Sequence, residues 1–197
     1  MAIDSKFAES LICRRYRVLD KPLKPFSLWH YAALNAVGNS WAFGEYNPFQ
    51  GPEEIFSELY QAVCICSKGF DPELQALEAE VDDRHKQHRL GQLAVELPDH
   101  IKLFQTYLRD HCAGPEFWEK EGSKGVDTGM PVIGQLIGLL LQCGFSEKEA
   151  WEIPMGRAQF YAAFITCTQP GSTASPMWVT DKQRENITEL SNSGGRN

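Results

Sequence analysis

Apolar residues recur every three or four positions through most of this chain, a spacing that predicts α-helix. Two stripes are clear, one after Pro52 and one after Pro98. The first consists of Ile55, Leu59, Ala62, Val63 and Cys66. The second consists of Ile101, Phe104, Tyr107 and Leu108. Because proline suits the first turn of a helix, we expect helices to begin at Pro52 and Pro98.

Capping residues mark the ends of further helices. We predict helix starts where a Ser, Thr or Asp side chain precedes a helical segment, namely at Ser27, Asp71, Ser146 and Thr180. Gly38 and Gly144 suit the position that follows a helix. The apolar run from Met130 to Cys143 predicts a buried helix that Gly144 ends. Pro154 then separates a short helix from one that spans Met155 to Cys167.

Extended backbone is predicted only near residues 14–26, where Tyr16, Val18 and two prolines favour strand over helix. We expect a small β-hairpin there that turns at Asp20-Lys21. The following stretch from Gly38 to Pro52 is rich in glycine and proline and predicts a loop. Its large aromatic residues are costly to leave in water, so we expect them to anchor it: Trp41, Phe43 and Phe49.

These patterns predict a mainly α-helical fold, an irregular multi-helix single domain with at most a small hairpin. The length of 197 residues suits one such domain. We assign residues 1–168 to the helical domain. Residues 169–197 are rich in small and polar residues, and we assign them to a linker, a short helix and a flexible tail.

Charge and composition narrow the classes of partner. The formal charge of −7 and the pI of about 5.3 repel phosphate backbones, so we expect no nucleic-acid partner. A basic stretch near the N-terminus is broken by prolines and apolar residues, and we interpret it as solvated: Arg14, Arg15, Arg17, Lys21 and Lys24. The longest apolar run is too short and glycine-rich to span a bilayer, so we expect no membrane association.

The six cysteines have irregular spacing, and the N-terminal residues lack the basic and apolar regions of a signal peptide. Both features indicate a reducing cytoplasm and thiols that are buried or idle.

Three histidine-containing stretches are candidates for chemistry. His85 and His88 lie three apart beside two aspartates on a predicted helix, a spacing that offers a metal two or three ligands. Their surroundings are polar, so we interpret this face as solvated and expect neither a metal nor a cofactor. His111-Cys112 ends a predicted helix, where a histidine interacts with the negative end of the helix dipole. His30 lies between two aromatic residues, which indicates a packed imidazole with one hydrogen bond.

Sequence motifs for phosphate-binding loops and nucleophile elbows are missing, so no catalytic residue is predicted. Aromatic residues beside loops are more prominent. Tryptophan both anchors partners and packs helix ends, and the chain has five: Trp29, Trp41, Trp118, Trp151 and Trp178.

The last third of the chain carries the predicted partner-binding surface. The helix that follows Pro154 is apolar on more than one side, so one side is expected to pack on the domain and another to bind a second chain. The residues assigned to this surface are Trp151, Met155, Phe160, Tyr161 and Phe164. Of these, Met155 and Phe164 are expected in the core, and Tyr161 nearer the surface.

Two segments resemble a known family. One is "YRVLDKPLKPFSLWHYAALNAVGN", and the other is "GFSEKEAWEIPMGRAQFYAAFI". Together they resemble small proteins encoded in phage tail-gene clusters and prophages, including tail assembly chaperones. The resemblance implies a mainly helical, cytoplasmic, non-catalytic protein that coats the apolar tape-measure protein before the tail tube forms.

The expected function is therefore a protein-binding assembly factor whose partner is another protein, such as the tape-measure protein, or a second copy of this chain. Three alternatives stay open. One is a structural tail or neck component of the virion, and one is a small metal- or thiol-dependent enzyme that uses His85, His88 or Cys112. The third is a small inhibitor of a host protein whose acidic surface mimics nucleic acid.

Overall fold

Two short strands, six α-helices and one 3-10 turn make up the part of the chain described by the structure, a computed structural model that covers residues 14–43, 50–71, 83–112 and 131–168. The strands are β1 (Tyr16–Val18) and β2 (Lys21–Leu23). The helices are α1 (Leu28–Ala36), α2 (Pro52–Cys66), α3 (Asp83–Cys112), α4 (Val132–Gln142), α5 (Glu147–Glu152) and α6 (Met155–Thr168), and the 3-10 turn spans Ser40–Phe43. The predicted mainly α-helical fold with one small hairpin is confirmed.

Several predictions concern residues outside these ranges. They include the helices predicted after Asp71 and at Thr180, the boundary at residue 169, and the environments of Trp118 and Trp178.

The hairpin turns one residue earlier than predicted. The strands are antiparallel with Val18 opposite Lys21, so the turn consists of Leu19 and Asp20 rather than Asp20-Lys21. The φ angles of these two residues, 48° and 61°, are typical of a type I′ turn, whose twist matches that of paired strands. Leu19 is buried in the turn, together with Val18 and Leu23. Contacts with the core therefore fix the register, and local sequence does not reveal them.

Ser27 begins α1 as predicted, through a capping box whose second member is His30. The Ser27 N–H donates to Nδ1 of His30 over 3.0 Å. Because Nδ1 accepts, the ring proton lies on Nε2, which donates to the carbonyl of Lys68 over 3.0 Å. The predicted packed imidazole is confirmed, but it makes more than one hydrogen bond and ties α1 to the segment after α2.

Glycine ends α1 and α4 in the same way. Gly38 and Gly144 have φ angles of 66° and 91°, which residues with a Cβ rarely adopt. After α4, the Phe145 N–H donates to Leu140 over 3.2 Å and the Gly144 N–H donates to Leu141 over 3.0 Å. This pair of bonds is a Schellman motif, and α1 has the same pair at 2.9 Å and 3.0 Å.

An extended segment from Lys24 to Leu28 joins distant parts of the chain. The Lys24 N–H donates to the carbonyl of Cys66 at the end of α2 over 2.9 Å. The Lys24 carbonyl accepts from the hydroxyl of Tyr107 on α3 over 2.8 Å. Both backbone groups of Lys24 are therefore satisfied by residues far away in sequence.

The other end of this segment pairs with the link between α5 and α6. The Leu28 N–H donates to the carbonyl of Ile153 over 3.3 Å, and the Met155 N–H donates to the carbonyl of Phe26 over 2.9 Å. Between these bonds, Ser27 and Pro154 form an isolated β-bridge. The N-terminal third is thus joined to the C-terminal helices through the backbone.

A single apolar core receives side chains from both strands, the 3-10 turn and every described helix. Trp41 is fully buried and meets the ring of Phe104 edge-on, with centroids 5.2 Å apart. This packing confirms the predicted anchoring role of Trp41, although the residues around it form a 3-10 turn rather than a loop. The largest fully buried side chains are Trp41, Tyr107, Phe26, Phe104, Leu28, Leu34, Leu59, Leu140, Val18, Val63 and Cys66.

The helix start predicted at Pro98 is wrong, because α3 continues through this residue. An internal proline removes one backbone hydrogen bond and costs about 3 kcal/mol. Leu97 is buried just before the proline, and Phe104 and Tyr107 are buried after it. Burial on both sides of Pro98 favours one continuous helix, which a local sequence signal does not predict.

The prediction of a buried helix from Met130 to Cys143 is correct in extent and wrong in burial. Of the α4 residues, Leu140 is buried, whereas Val132 is 73% exposed and Leu141 is 43% exposed. The helix packs on α5 and α6 along one side, which leaves much of its apolar surface uncovered by the described residues. Neither α4 nor any other helix in the described ranges combines the length and apolarity needed to cross a membrane.

The glycine after α4 can be tested against a glycine inside it. Gly144→Ala is expected to destabilise the fold by about 1 kcal/mol because its φ of 91° strains a residue with a Cβ. Gly138→Ala is expected to stabilise the fold by about 1 kcal/mol, because a Cβ at this helical position meets open space. Urea unfolding of both variants measures the two changes. Equal signs for the two variants would contradict this account of the helix end.

The buried imidazole of His30 predicts a pH-dependent stability. Burial lowers the pKa of His30 from 6.5 to about 4, so the unfolded chain binds a proton more readily than the folded one. The contribution of His30 to the free energy of unfolding is therefore fully present above pH 6.5. It falls by up to about 3 kcal/mol as the pH drops towards 4. Urea unfolding across this range should show a shallower dependence for His30→Gln, which keeps a capping-box acceptor but does not titrate. Parallel curves for the two proteins would contradict the assignment to His30.

Candidate functional site

A cavity of about 650 Å³ opens where α1, the 3-10 turn, the end of α3 and the starts of α4 and α6 meet. Its volume lies within the range of ligand and partner pockets in proteins. Apolar and sulfur-containing side chains form most of its wall: Phe26, Trp41, Ala42, Leu108, Cys112, Pro131, Val132, Ile133, Leu136 and Met155. The remaining lining residues are polar: Tyr31, Asn35, Gln105, Arg109 and Gln159.

The deep wall of the cavity is held rigidly by the backbone. Phe26 and Met155 face it from the two segments joined by the 2.9 Å bond between the Met155 N–H and the Phe26 carbonyl. Phe26 is 1% exposed and Met155 is 8% exposed. These two side chains belong to the core, and the cavity is therefore a recess in that core.

Trp41 reaches the cavity because Asn39 orients the 3-10 turn. The Asn39 side-chain carbonyl accepts from the Trp41 N–H over 3.1 Å. The amide group of Asn39 donates to the Glu58 carbonyl over 3.0 Å and to Oε1 of Gln61 over 2.9 Å. Asn39 is buried, so these bonds satisfy a side chain that would otherwise be costly to bury. The turn is thereby fixed to α2.

The cavity mouth is more exposed than its wall. Asn35, Arg109, Val132 and Gln159 are exposed, whereas Leu136 is half-buried. Among the residues that the structure describes, Arg109 is the one charged residue of the lining, and these residues include no carboxylate. The site therefore combines an apolar interior with a polar, weakly basic mouth, an arrangement that suits an apolar group carried by a polar partner.

Cys112 contributes a thiol to the lining of the cavity. Burial raises the pKa of Cys112 to about 12, so the thiol is protonated at neutral pH. Because the thiolate is the reactive species, this environment suppresses nucleophilic chemistry. Cys66, deeper in the core, also has its pKa raised by burial.

His111 interacts with the end of α3 as predicted, but in its neutral form. Nδ1 of His111 donates to the carbonyl of Tyr107 over 2.9 Å. Burial lowers the pKa of His111, which favours the uncharged imidazole. The observed interaction is a hydrogen bond from the neutral imidazole to the Tyr107 carbonyl, and not the attraction to the negative end of the helix dipole that the sequence predicted.

Metal ligands do not gather within the described ranges, where no group of three or more His, Cys, Asp or Glu side chains is placed to hold an ion. His85 and His88 lie on α3, as the predicted helix required. Their side chains belong to the part of the chain outside this description, so the predicted interpretation of that face stays a prediction.

The five predicted partner-binding residues are divided among three places. Met155 lines the cavity and is buried, as expected. Trp151 lies elsewhere and stacks on Phe70, with parallel rings whose centroids are 6.2 Å apart. The remaining three lie farther along α6. One contiguous surface made of all five residues is therefore not present.

An aromatic cluster joins α6 to the turn before α5. It consists of Phe160, Tyr161 and Phe164 on α6 and Phe145 in the turn. Tyr161 contacts Phe145 at 5.9 Å and Phe160 at 5.6 Å between ring centroids. Phe160 stacks on Phe164 at 6.3 Å. Phe164 is 52% exposed, so its predicted place in the core is wrong, whereas Tyr161 is half-buried as expected. The apolar sequence of α6 alone does not indicate that Phe164 is exposed.

Sequence reasoning missed most of the cavity. Asn35, Gln105, Arg109 and Gln159 looked like ordinary polar positions on helix surfaces, and Asn39 like a loop residue. The useful signal was the combination of Gly38 with an asparagine and a tryptophan, which marks a tight, anchored turn.

The comparisons with known proteins give no further assignment. No family model, no curated protein and no solved structure matches this chain.

The protonated state of Cys112 predicts slow alkylation. Iodoacetamide at neutral pH should modify the exposed Cys143 readily and Cys112 at least about tenfold more slowly, because both burial and the raised pKa protect the latter. Mass spectrometry of time points locates each modified residue. Urea-unfolded protein is the control, in which the two thiols should react at similar rates. Preferential modification of Cys112 in the folded protein would contradict this account and support the thiol-enzyme alternative.

Proposed function

We propose that this protein is a non-catalytic binding protein whose cavity receives apolar side chains from a helix of a partner protein. The observation that supports this proposal is the cavity itself, with a buried apolar wall of Phe26, Trp41 and Met155 below a polar mouth. Recognition of an amphipathic helix places apolar anchors in such a recess and leaves the polar face of the helix outside.

The rigid wall favours binding over a purely structural role. A preformed recess does not have to be ordered when the partner arrives, so less conformational entropy is lost on binding. The half-buried Leu136 and the exposed Val132 extend the apolar surface from the cavity onto α4. A partner helix that lies across the mouth would cover both residues.

A thiol enzyme is the weaker alternative because the pKa of Cys112 is raised rather than lowered. The resemblance of the sequence to phage tail proteins extends the proposal to a specific role. In that role the protein is a tail assembly chaperone and the partner helix belongs to the tape-measure protein. A chaperone should be absent from purified phage particles, whereas a structural tail or neck subunit should be present in them.

The binding role can be tested with a displayed library of amphipathic helical peptides selected on the full-length protein. Peptides that occupy the cavity should bind Leu136→Gln and Val132→Gln at least about fivefold more weakly, because each change replaces apolar contact area with a polar group. Fluorescence anisotropy of labelled peptides measures the affinities. Val132→Gln guards against misfolding, because this residue is 73% exposed.

The matched control is Leu103→Gln, a similar change on α3 at a residue that is 37% exposed and outside the cavity. It should leave peptide affinity unchanged. The proposed function would be wrong if selection yields no helical peptide, or if the control weakens binding as much as the cavity variants do.

A further inference from the structure

The charges around the cavity differ from those of the whole chain. The sequence has 26 acidic and 19 basic residues, yet the described residues of the lining include one arginine and no Asp or Glu. Tyr31 and three neutral amides, Asn35, Gln105 and Gln159, complete the polar part of the described lining. Within the part of the chain that the structure describes, an acidic protein thus presents a non-acidic recess whose charged lining residue is Arg109.

Arg109 is placed to contact a bound partner. Its side chain is 75% exposed, and its Nε lies 3.7 Å from Oδ1 of Asp110, which is beyond hydrogen-bond distance. The other carboxylate oxygen of Asp110 accepts from the Tyr16 hydroxyl and lies 3.5 Å from Nη1 of Arg14. Because Asp110 is shared among these groups, it neutralises Arg109 incompletely, and the guanidinium keeps donors for a carboxylate.

The start of α4 adds to this preference at the same mouth. Pro131 occupies the N-cap position and gives no side-chain hydrogen bond to the helix. Pro131, Val132 and Ile133 all line the cavity, so the positive end of this helix lies at its edge. A negative group bound at the mouth would therefore be attracted by the guanidinium and by the first backbone N–H groups of α4.

From this charge complementarity we infer that the partner is an acidic amphipathic helix, with apolar side chains in the cavity and a Glu or Asp beside them that pairs with Arg109. The inference rests on the proposed function, and it names the chemistry of the partner segment. A basic or neutral helix could make the same apolar contacts with the cavity, but it would lack the carboxylate that pairs with Arg109. Pairing of opposite charges at an interface rim acts mainly on specificity and on the association rate.

The test uses peptides from the helical library described above. The chosen peptides bind the Leu136→Gln variant more weakly than they bind the wild-type protein. These peptides should be enriched in Asp or Glu next to the apolar stripe. One of them and its Glu→Gln counterpart are then titrated against the wild-type protein, Arg109→Gln and Arg109→Lys. We expect Arg109→Gln to lower the affinity for the acidic peptide about threefold and to leave the affinity for its glutamine counterpart unchanged.

Arg109→Lys should retain most of the affinity for the acidic peptide. The preference for the acidic peptide over its glutamine counterpart should decrease at high salt, because the charges are exposed. Arg17→Gln is the control, since Arg17 is an exposed arginine on β1 outside the cavity. Equal effects of Arg109→Gln on the two peptides, or cavity-binding peptides without acidic enrichment, would overturn the inference and leave the proposed function intact. Recovery of no peptide that is sensitive to Leu136→Gln would instead overturn the proposed function.

Discussion

The fold depends on the backbone hydrogen bonds of the extended segment from Lys24 to Leu28. This segment bonds to the end of α2 through Cys66 and to the α5–α6 link through Ile153 and Met155. Apart from Leu28, which begins α1, the segment lies outside the helices and the two strands, so bonds to distant residues satisfy backbone groups of Lys24, Phe26 and Leu28. Tyr107 adds a bond from α3 to the same segment. Three distant parts of the chain therefore bond to one short stretch of backbone.

The cavity follows from this arrangement. The segment sets Phe26 opposite Met155, and the Asn39 contacts set Trp41 against the same recess. Its deep wall is therefore part of the core and should vary little in shape. The exposed residues of the mouth come from α1, α3, α4 and α6, namely Asn35, Arg109, Val132 and Gln159. Because the fold has already ordered the interior of the cavity, a partner side chain that entered it would cause little further loss of conformational entropy in this protein.

Burial determines the protonation states of Cys112, His30 and His111. Cys112 is kept protonated, and the neutral histidines His30 and His111 are held by backbone carbonyls. These buried groups serve the packing of α1 and α3. The proposed assembly role rests on the recess and on the sequence resemblance, and the choice between a chaperone and a virion component concerns the partner rather than this site.

The sequence by itself determined the helical class and several helix ends, because capping acts over a few neighbouring residues. Ser27, Gly38, Ser146 and Gly144 each satisfy local backbone groups, and each lies where its sequence predicts. The burial of α4, the hairpin register and the continuity of α3 through Pro98 were decided by tertiary packing, which acts between residues that are distant in sequence. The cavity belongs to this second group. Its residues come from five helical elements and the extended segment, and apart from Met155 no predicted partner-binding residue lines it, because the local apolar pattern does not show which faces will meet.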